Sequence, residues 1–267
     1  MAPSTSNTRS IEDATIFFQD ANIIATLSSR PSTPGDTLIR IKAGPLSQLS
    51  RPDFISVLQS TKVAASIVQK ATEVQRVALA TTANDKIRLI PLHGLDADWK
   101  PILDDQKEYH DSYPDHISSR SGPESTDETL NDVQKQLTNG SPPAMNTTCT
   151  SPPGAASTNL FARIIRAEIP SQWRIWSSDE HLAFLTPYAN SPGKTVLVPR
   201  KHLDSDILAL SDEGDFSALM GAVWDVMLAI RESRFGAERV GLIFEGIKID
   251  WAHAKLIPIR EGRGAAG

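Results

Sequence analysis

Residues 250–259 read DWAHAKLIPI, an alternating run in which a histidine stands between a tryptophan and a lysine. Side chains of a β-strand point alternately to opposite faces, so a strand here presents Trp251, His253 and Lys255 on one face. The opposite face carries two alanines and a leucine, whose small side chains allow a helix to pack closely behind the strand. The run therefore predicts a strand with a packed back and a front that carries an indole, an imidazole and an ammonium group.

A second copy of this tail occurs earlier in the chain. Residues 85–92 read DKIRLIPL, and alignment of the two Ile-Pro pairs places Arg88 opposite Lys255 and Lys86 opposite His253. Similarity at a fixed period is typical of a repeated structural unit. The histidine is thus present in the second copy of the tail and is replaced by lysine in the first.

The segments upstream of the two tails also resemble each other. Residues 15–42 and 174–201 both read as strand, short turn, strand, a loop with Pro-Gly and a further strand. Each is followed by apolar residues at helical spacing, with Ser211 or Asp212 as the predicted N-cap in the second copy. The sequence therefore predicts an α+β unit that is present twice.

Composition divides the chain into three parts. Residues 104–157 are rich in Ser, Thr, Pro, Asp and Asn and poor in branched aliphatic residues, so they bury too little apolar surface to offset chain entropy. We predict a disordered linker there, in which His110 and His116 are solvated. It separates a first domain at residues 10–103 from a second at 158–267.

Charge and composition exclude several classes of function. The chain has 267 residues, a formal net charge of −5 and a single cysteine, so neither a basic nucleic-acid-binding surface nor an internal disulfide is expected. A membrane helix and a secretory signal are not predicted either, because the apolar runs are short and the first residues are polar. We expect a cytoplasmic or nuclear protein. Neither a cofactor nor a metal is predicted, because we recognised no spaced ligand cluster and no glycine-rich phosphate loop.

The second unit resembles a histidine triad (HIT) domain over residues 160–260. The most specific parts are FARIIRAEIP at 161–170, SPGKTVLVPRKH at 191–202 and the final strand with its histidine. The resemblance implies a small antiparallel sheet with packed helices, and galactose-1-phosphate uridylyltransferases are tandem relatives of this family. HIT domains usually dimerise, so we expect the two units to pair as an intramolecular pseudo-dimer with one continuous sheet, in a monomeric protein.

Family members bind nucleotides and cleave a bond at phosphorus through the middle histidine of a His-x-His-x-His strand. By resemblance the attacking histidine falls on His253, the first histidine on Trp251 and the third on Lys255. A lysine at the third position resembles a HIT subgroup with H-A-H-x-K. The resemblance therefore implies that His253 and Lys255 are catalytic.

Other family contacts fall on altered residue types. Phe244 stands where many members have asparagine, Lys248 where a phosphate-binding serine is common, Lys194 at the histidine of Pro-Gly-His, and Thr186 at the ribose-binding aspartate. The predicted substrate-binding residues are these four together with Trp251, Glu245 and Asp250. The two carboxylates flank the strand and are candidate acid–base groups.

Three functions follow from this set of residues. Neutral imidazole is a competent nucleophile, and nearby Lys255 and Lys248 would keep His253 neutral and stabilise phosphoryl oxygens. The first hypothesis is accordingly a nucleotide phosphohydrolase or nucleotidyl transferase, with Trp251 stacked on a base or filling the former pocket. The second is a non-catalytic nucleotide-binding or ligand-binding pseudo-dimer. The third is a HIT scaffold repurposed as a lyase, isomerase or cyclase in specialised metabolism.

Overall fold

The final strand is shorter than the alternating run predicts. In the computed structural model, which describes residues 16–150, 158–169 and 173–260, the strand spans Ala254–Ile259. Trp251 and His253 therefore lie just before the strand, and only Lys255 lies within it. The predicted domain ends at residues 10–15 and 261–267 lie outside the described residues.

Each unit contributes five strands and a long helix. The first unit consists of β1 (Ile16–Gln19), β2 (Ile23–Leu27), β3 (Thr37–Ile41), α1 (Arg51–Thr72), β4 (Val77–Thr81) and β5 (Lys86–Pro91). A helix in the connecting segment, α2, spans Asp127–Leu137. The second unit consists of α3 (Leu160–Ile165), β6 (Arg174–Ser177), β7 (His181–Leu185), β8 (Thr195–Pro199), α4 (Glu213–Glu232), β9 (Arg239–Phe244) and β10 (Ala254–Ile259).

The two units form one ten-stranded antiparallel sheet with the order β1-β2-β3-β5-β4-β9-β10-β8-β7-β6. Ala80 pairs with Arg88 in the first unit, and Ile243 pairs with Lys255 in the second. Because the sequence aligns Arg88 with Lys255, Ala80 and Ile243 are equivalent positions. They also pair with each other across the β4–β9 junction, so a local two-fold axis passes between them. The predicted pseudo-dimer with a continuous sheet is confirmed.

The units agree in their irregular features as well. The β1–β2 register shifts between Ile16 and Phe18, and the β6–β7 register shifts between Arg174 and Trp176. The alignment of Arg88 with Lys255 makes β3 equivalent to β8, because these two strands pair with β5 and β10 in the same register. Followed outward through the strand pairings, it makes Ile16 equivalent to Arg174 and Phe18 to Trp176, so the two register shifts occur at equivalent positions. The glycines of the two Pro-Gly loops both have a positive φ, 80° in the first loop and 77° in the second, which favours glycine at these turns.

The two long helices lie together on one face of the sheet and cover its core. The Ser50 hydroxyl caps α1 by accepting a hydrogen bond from the Asp53 amide, and the Asp212 carboxylate caps α4 through the Asp215 amide at 2.8 Å. The core side chains between helices and sheet come from both units and form one continuous cluster. This shared core holds the two half-sheets in a fixed relative position.

The opposite face differs between the units. In the second unit it is covered by α3, whose Phe161 and Ile165 are buried in a separate apolar cluster with Trp251. In the first unit the equivalent face is partly open, and the side chain of Leu38 is 36% exposed. The covered face of the second unit is where the candidate site lies.

The connecting segment differs from the disordered linker predicted for it. His110 donates its backbone amide to Asn190 at 3.0 Å, and Gly122 donates to Tyr188 at 2.9 Å. Leu130 and Leu137 of α2 are buried. Composition alone underestimated this segment, because its backbone groups find partners on the loop after β7. Residues 151–157 of the predicted linker lie outside the described residues.

Among the residues described, no helix combines the length and hydrophobicity needed to cross a membrane.

Candidate functional site

A cavity of about 410 Å³ lies on the covered face of the second unit. Its floor includes His253 and Lys255, and its roof is a strap, residues 118–121 of the connecting segment. Its wall is largely apolar and aromatic, formed by Leu160, Phe161, Ile164, Ile169, Trp173, Phe184, Leu185, Pro187, Tyr188, Val196 and Ile249. Lys194, Lys248 and Thr186 also line it. The volume is within the range of small-molecule sites.

His253 is held in one tautomer at the floor of this cavity. Its Nδ1 lies 2.8 Å from the carbonyl oxygen of Trp251, and a carbonyl only accepts hydrogen bonds, so Nδ1 carries the proton. The unprotonated Nε2 then holds a free lone pair. The side chain is 3% exposed, and the Phe161 ring lies 5.2 Å away, centroid to centroid. The geometry therefore fixes an imidazole with a nucleophilic nitrogen.

Burial and positive charge keep this imidazole neutral. Desolvation first, and the Lys255 charge second, lower the pKa of His253 to about 4. Protonated imidazole has no lone pair and cannot act as a nucleophile. At neutral pH the side chain of His253 is therefore in its reactive form.

Lys255 forms a buried ion pair with Glu245. Burial alone would raise the pKa of the Glu245 carboxyl, but the charge and hydrogen bond of Lys255 hold it below its ordinary value. Burial lowers the pKa of Lys255. Glu245 is not among the cavity-lining residues, so its carboxylate acts behind the site by orienting the Lys255 ammonium group.

Lys194 is a strongly perturbed cation of the site. Its ammonium nitrogen donates to Asn190 Oδ1 at 2.8 Å and to the Arg120 carbonyl at 2.9 Å. Burial, followed by the neighbouring charges of Lys255 and Lys248, lowers the pKa of Lys194 to about 7. Near neutral pH this group can both hold and release a proton, which an ordinary lysine does not do.

The strap is fixed by the lysines beneath it. Lys248 donates to the Ser119 carbonyl at 3.1 Å and to the Ser121 hydroxyl at 3.4 Å. With the Lys194 bond to Arg120, two ammonium groups hold the roof through backbone oxygens. A phosphate inside the cavity would compete with these neutral oxygens for the same cations.

Trp251 does not lie where a stacking residue would be needed. It is 0% exposed, and its indole Nε1 donates to the Pro199 carbonyl at 3.0 Å. The ring packs among apolar residues of the second cluster, edge-on to His202 at 4.8 Å. Since Trp251 does not line the cavity, the structure places it as a core residue that neither faces nor fills the cavity.

The remaining predicted residues divide into two groups. Thr186 lines the cavity, with its hydroxyl accepting from the Tyr188 amide at 3.2 Å. Phe244 is a buried core residue, paired with Leu79 across the β4–β9 junction. Asp250 is exposed and bonded to the Ser205 hydroxyl at 3.2 Å. The cavity thus brings together five predicted residues: His253, Lys255, Lys248, Lys194 and Thr186.

Sequence reasoning missed the strap and most of the aromatic wall. The strap lies in the segment predicted to be disordered, and Trp173 and Tyr188 stand outside the alternating pattern of the strands. Phe161 belongs to the quoted FARIIRAEIP motif, so this motif was the one part of the sequence from which the apolar wall of the cavity could have been predicted. The aromatic surface expected from Trp251 is instead supplied by these rings.

The first unit has an ion pair at the equivalent place. The register aligns Asp36 with Lys194 and Arg88 with Lys255. Arg88 Nε donates to Asp36 Oδ1 at 2.9 Å, and the Asp36 side chain is buried. The charged groups of the first unit therefore satisfy one another, and the Lys86 that replaces the histidine is exposed.

Comparison with solved structures identifies the fold. No protein-family model matches the sequence. A galT-like protein from Arabidopsis thaliana aligns over 94% of this chain and 80% of its own, with a TM-score of 0.54 and 8% identity. An ADP-glucose phosphorylase from Arabidopsis thaliana aligns over 91% and 74%, with a TM-score of 0.53 and 9% identity.

A HIT-like protein from Bartonella henselae is 27% identical over 40% of this chain and 83% of its own, with a TM-score of 0.35. The two Arabidopsis structures match nearly the whole chain, so the likeness of fold includes both units. This chain shares the two-unit, pseudo-dimeric fold of the galT-like protein and the ADP-glucose phosphorylase.

Proposed function

We propose that this chain processes nucleotides as a phosphohydrolase or nucleotidyl transferase, with His253 as the nucleophile. One observation carries the proposal: a neutral imidazole, fixed in the tautomer with a free Nε2, lines a cavity that also contains three lysines. The names of the two Arabidopsis structures, a galT-like protein and an ADP-glucose phosphorylase, agree with this chemistry.

The first step forms a covalent intermediate. The Nε2 lone pair of His253 attacks phosphorus, a P–N bond forms, and the P–O bond to the leaving group breaks with its electron pair. Lys255 and Lys248 neutralise charge on the phosphoryl oxygens as the transition state forms. Covalent catalysis of this kind divides one difficult displacement into two easier ones.

The leaving oxygen needs a proton in the same step. Lys194 lines the cavity and has a pKa of about 7, so it can donate a proton near neutral pH and recover it later. Lys255 is paired with the charged carboxylate of Glu245, whereas the partners of Lys194 are neutral oxygens of Asn190 and Arg120. We therefore assign Lys194, at the position where the family has the histidine of Pro-Gly-His, as the general acid.

In the second step water or another acceptor attacks phosphorus on the nucleotidyl-histidine. The P–N bond breaks, its electron pair returns to Nε2, and the acceptor loses its proton to neutral Lys194. Water as acceptor gives hydrolysis and a phosphate gives transfer. The enclosed apolar wall would hold the base or another flat group, where aromatic stacking contributes roughly 1–3 kcal/mol per base.

A substrate screen tests the proposal. We would incubate the full chain with mononucleotides, sugar nucleotides and dinucleoside polyphosphates and follow the phosphorus signals by ³¹P NMR. The proposal expects turnover of at least one compound by the wild-type chain and none by His253→Ala. His93→Ala, a change at an exposed histidine of the first unit, serves as the control. Turnover that is unchanged in His253→Ala would refute the proposal.

The role of Lys194 predicts a bell-shaped pH dependence. The rate should rise as pH increases through about 4, because His253 loses its proton there, and fall above about 7, because Lys194 does. In Lys194→Arg the group keeps its charge but cannot release a proton, so kcat should fall by about 10²-fold or more for poor leaving groups. The descending limb near pH 7 should also disappear.

Lys248→Arg is the matched control for this experiment, because it changes a neighbouring ammonium group that is not assigned to proton transfer. Its descending limb should remain near pH 7. A substrate with a very good leaving group should lose little in Lys194→Arg, since it departs without protonation. Equal losses for good and poor leaving groups would assign Lys194 to binding instead.

The second candidate is a non-catalytic ligand-binding protein, and one observation favours it. All three cavity lysines already have partners within the chain: strap oxygens for Lys194 and Lys248, and Glu245 for Lys255. Calorimetry that detects tight nucleotide binding by a wild-type chain with no turnover in the screen would select this alternative.

A further inference from the structure

The connecting segment brings three potential metal ligands together. Glu108, His110 and His116 each offer one ligand atom, and these atoms lie within 4.8 Å of one another. The Glu108 Oε1 is 3.2 Å from His110 Nε2 and 3.9 Å from His116 Nε2. Ligands at zinc bond lengths of about 2.0–2.1 Å around a tetrahedral ion are roughly 3.3 Å apart. The side chains therefore need only small rotations to share one ion.

The tautomer of His116 is already that of a ligand. Its Nδ1 lies 3.0 Å from the Pro114 carbonyl and donates to it, so Nε2 keeps its lone pair and points towards Glu108. Histidine ligands of metals commonly donate their other ring nitrogen to a carbonyl or carboxylate in this way.

Space and charge beside the cluster are also suitable. A cavity of about 40 Å³ is lined by all three side chains and by Tyr113 and Asn190, and this is enough for an ion with a water ligand. Arg120 lies 3.8 Å from the other oxygen of Glu108, so Oε1 remains available to a metal. Asp111 and Arg260 line the same cavity, so charges of both signs lie close to the cluster.

We propose that Glu108, His110 and His116 form a binding site for a divalent transition metal, with Zn²⁺ as the best fit. Two imidazole nitrogens and one carboxylate oxygen suit Zn²⁺ and disfavour Ca²⁺ and Mg²⁺, which prefer oxygen ligands. A water completes a four-coordinate ion. The prediction that the sequence carries no metal site overlooked the spacing Glu-x-His, followed by a histidine six residues later.

The position of the site gives the metal a structural role. His110 is bonded through its backbone amide to Asn190, and Asn190 in turn donates to the Ser118 carbonyl at 3.2 Å. Ser118 begins the strap that roofs the cavity, two residues after His116. An ion that joins residues 108 and 116 closes this loop and fixes the strap over His253 and the lysines.

The test measures Zn²⁺ binding to the full chain without any nucleotide. Calorimetry and metal analysis after dialysis should give one Zn²⁺ per chain, and Co²⁺ should give the visible absorption of a four-coordinate ion. The double variant His110→Ala/His116→Ala should bind at least about 100-fold more weakly, whereas His93→Ala should bind as the wild type does. Absence of Zn²⁺ binding by the wild type, or equal binding by the double variant, would overturn the proposal.

Glu108→Gln provides a second variant that preserves the shape of the site but removes its charge, and we expect weaker Zn²⁺ binding from it. Limited proteolysis tests the structural role: Zn²⁺ should slow cleavage within residues 104–121 in the wild type and not in the double variant. Zn²⁺ binding without this protection would contradict the role of the metal in fixing the strap. Neither readout depends on catalysis, so the metal site and the proposed function can fail separately.

Discussion

Replacement of His253 by alanine is expected to lower kcat by about 10⁴-fold or more on any substrate that the wild-type chain turns over. The nucleophile is the group whose loss cannot be compensated by the lysines, and removal of a catalytic nucleophile in enzymes that form covalent intermediates has effects of this order. The unprotonated Nε2 and the pKa of about 4 provide the physical reason, because the imidazole is reactive across the neutral range. Steady-state kinetics on the substrate found in the screen measures it.

A chemical rescue separates loss of the nucleophile from loss of structure. In His253→Gly, added imidazole can enter the cavity and attack phosphorus, so part of the lost rate should return in proportion to imidazole concentration. His93→Gly should show neither the loss nor the response. If His253→Gly is inactive, binds substrate normally and gains nothing from imidazole, the histidine is not the nucleophile.

Trp251→Ala is expected to lower the free energy of unfolding by about 3–5 kcal/mol. The ring is 0% exposed, packs between α3 and the sheet, and donates to the Pro199 carbonyl. Its removal leaves a large cavity and an unpaired buried carbonyl. Equilibrium denaturation in urea, followed by far-UV circular dichroism, measures the loss.

Trp173→Ala is the matched comparison, because this ring lines the cavity and is only half-buried. It should cost less stability than Trp251→Ala and should weaken binding of any nucleotide that the wild type binds. Trp251→Phe keeps most of the apolar volume and should restore most of the stability. If Trp251→Ala were fully stable but failed to bind ligand, Trp251 would be a stacking residue after all.

The fold was predictable because both copies of the repeat contain the same short sequence patterns. The two Ile-Pro tails and the two Pro-Gly loops align residue by residue, and the strand register follows that alignment to the Ala80–Ile243 pair at the centre. The helix cap at Asp212 is a similarly local signal, and it is one of the two N-caps that the sequence predicts for α4. These features are present in both units, although the first unit has Lys86 at the position of His253.

The candidate site was only partly predictable. The sequence analysis applied the two-residue alternation of a β-strand to residues that lie before the strand begins. Lys255 lies in β10, but Trp251 and His253 precede it, so alternation does not decide where their side chains point. Burial against α3 places the indole in the core, while the Nδ1 bond orients the imidazole towards the cavity. These are tertiary effects, and the alternating pattern contains no information about them.

The strap was not predictable from composition. A polar segment rich in Ser, Pro and Asp has little apolar surface to bury, yet residues 118–121 are held by the ammonium groups of Lys194 and Lys248. The two lysines that hold it lie 74 and 129 residues further along the chain than the strap residues they contact. The sequence of the strap alone, or of the lysine-containing segments alone, does not predict that they contact each other.

Capture of the covalent intermediate tests the central claim most directly. The full chain would be mixed with its substrate, quenched at high pH where a phosphorus–nitrogen bond on histidine persists, and analysed by intact-mass and peptide mass spectrometry. Our account predicts one added nucleotidyl group per chain, located on His253 and absent from His253→Ala. Turnover without any such adduct, or an adduct on another residue that survives in His253→Ala, would contradict it.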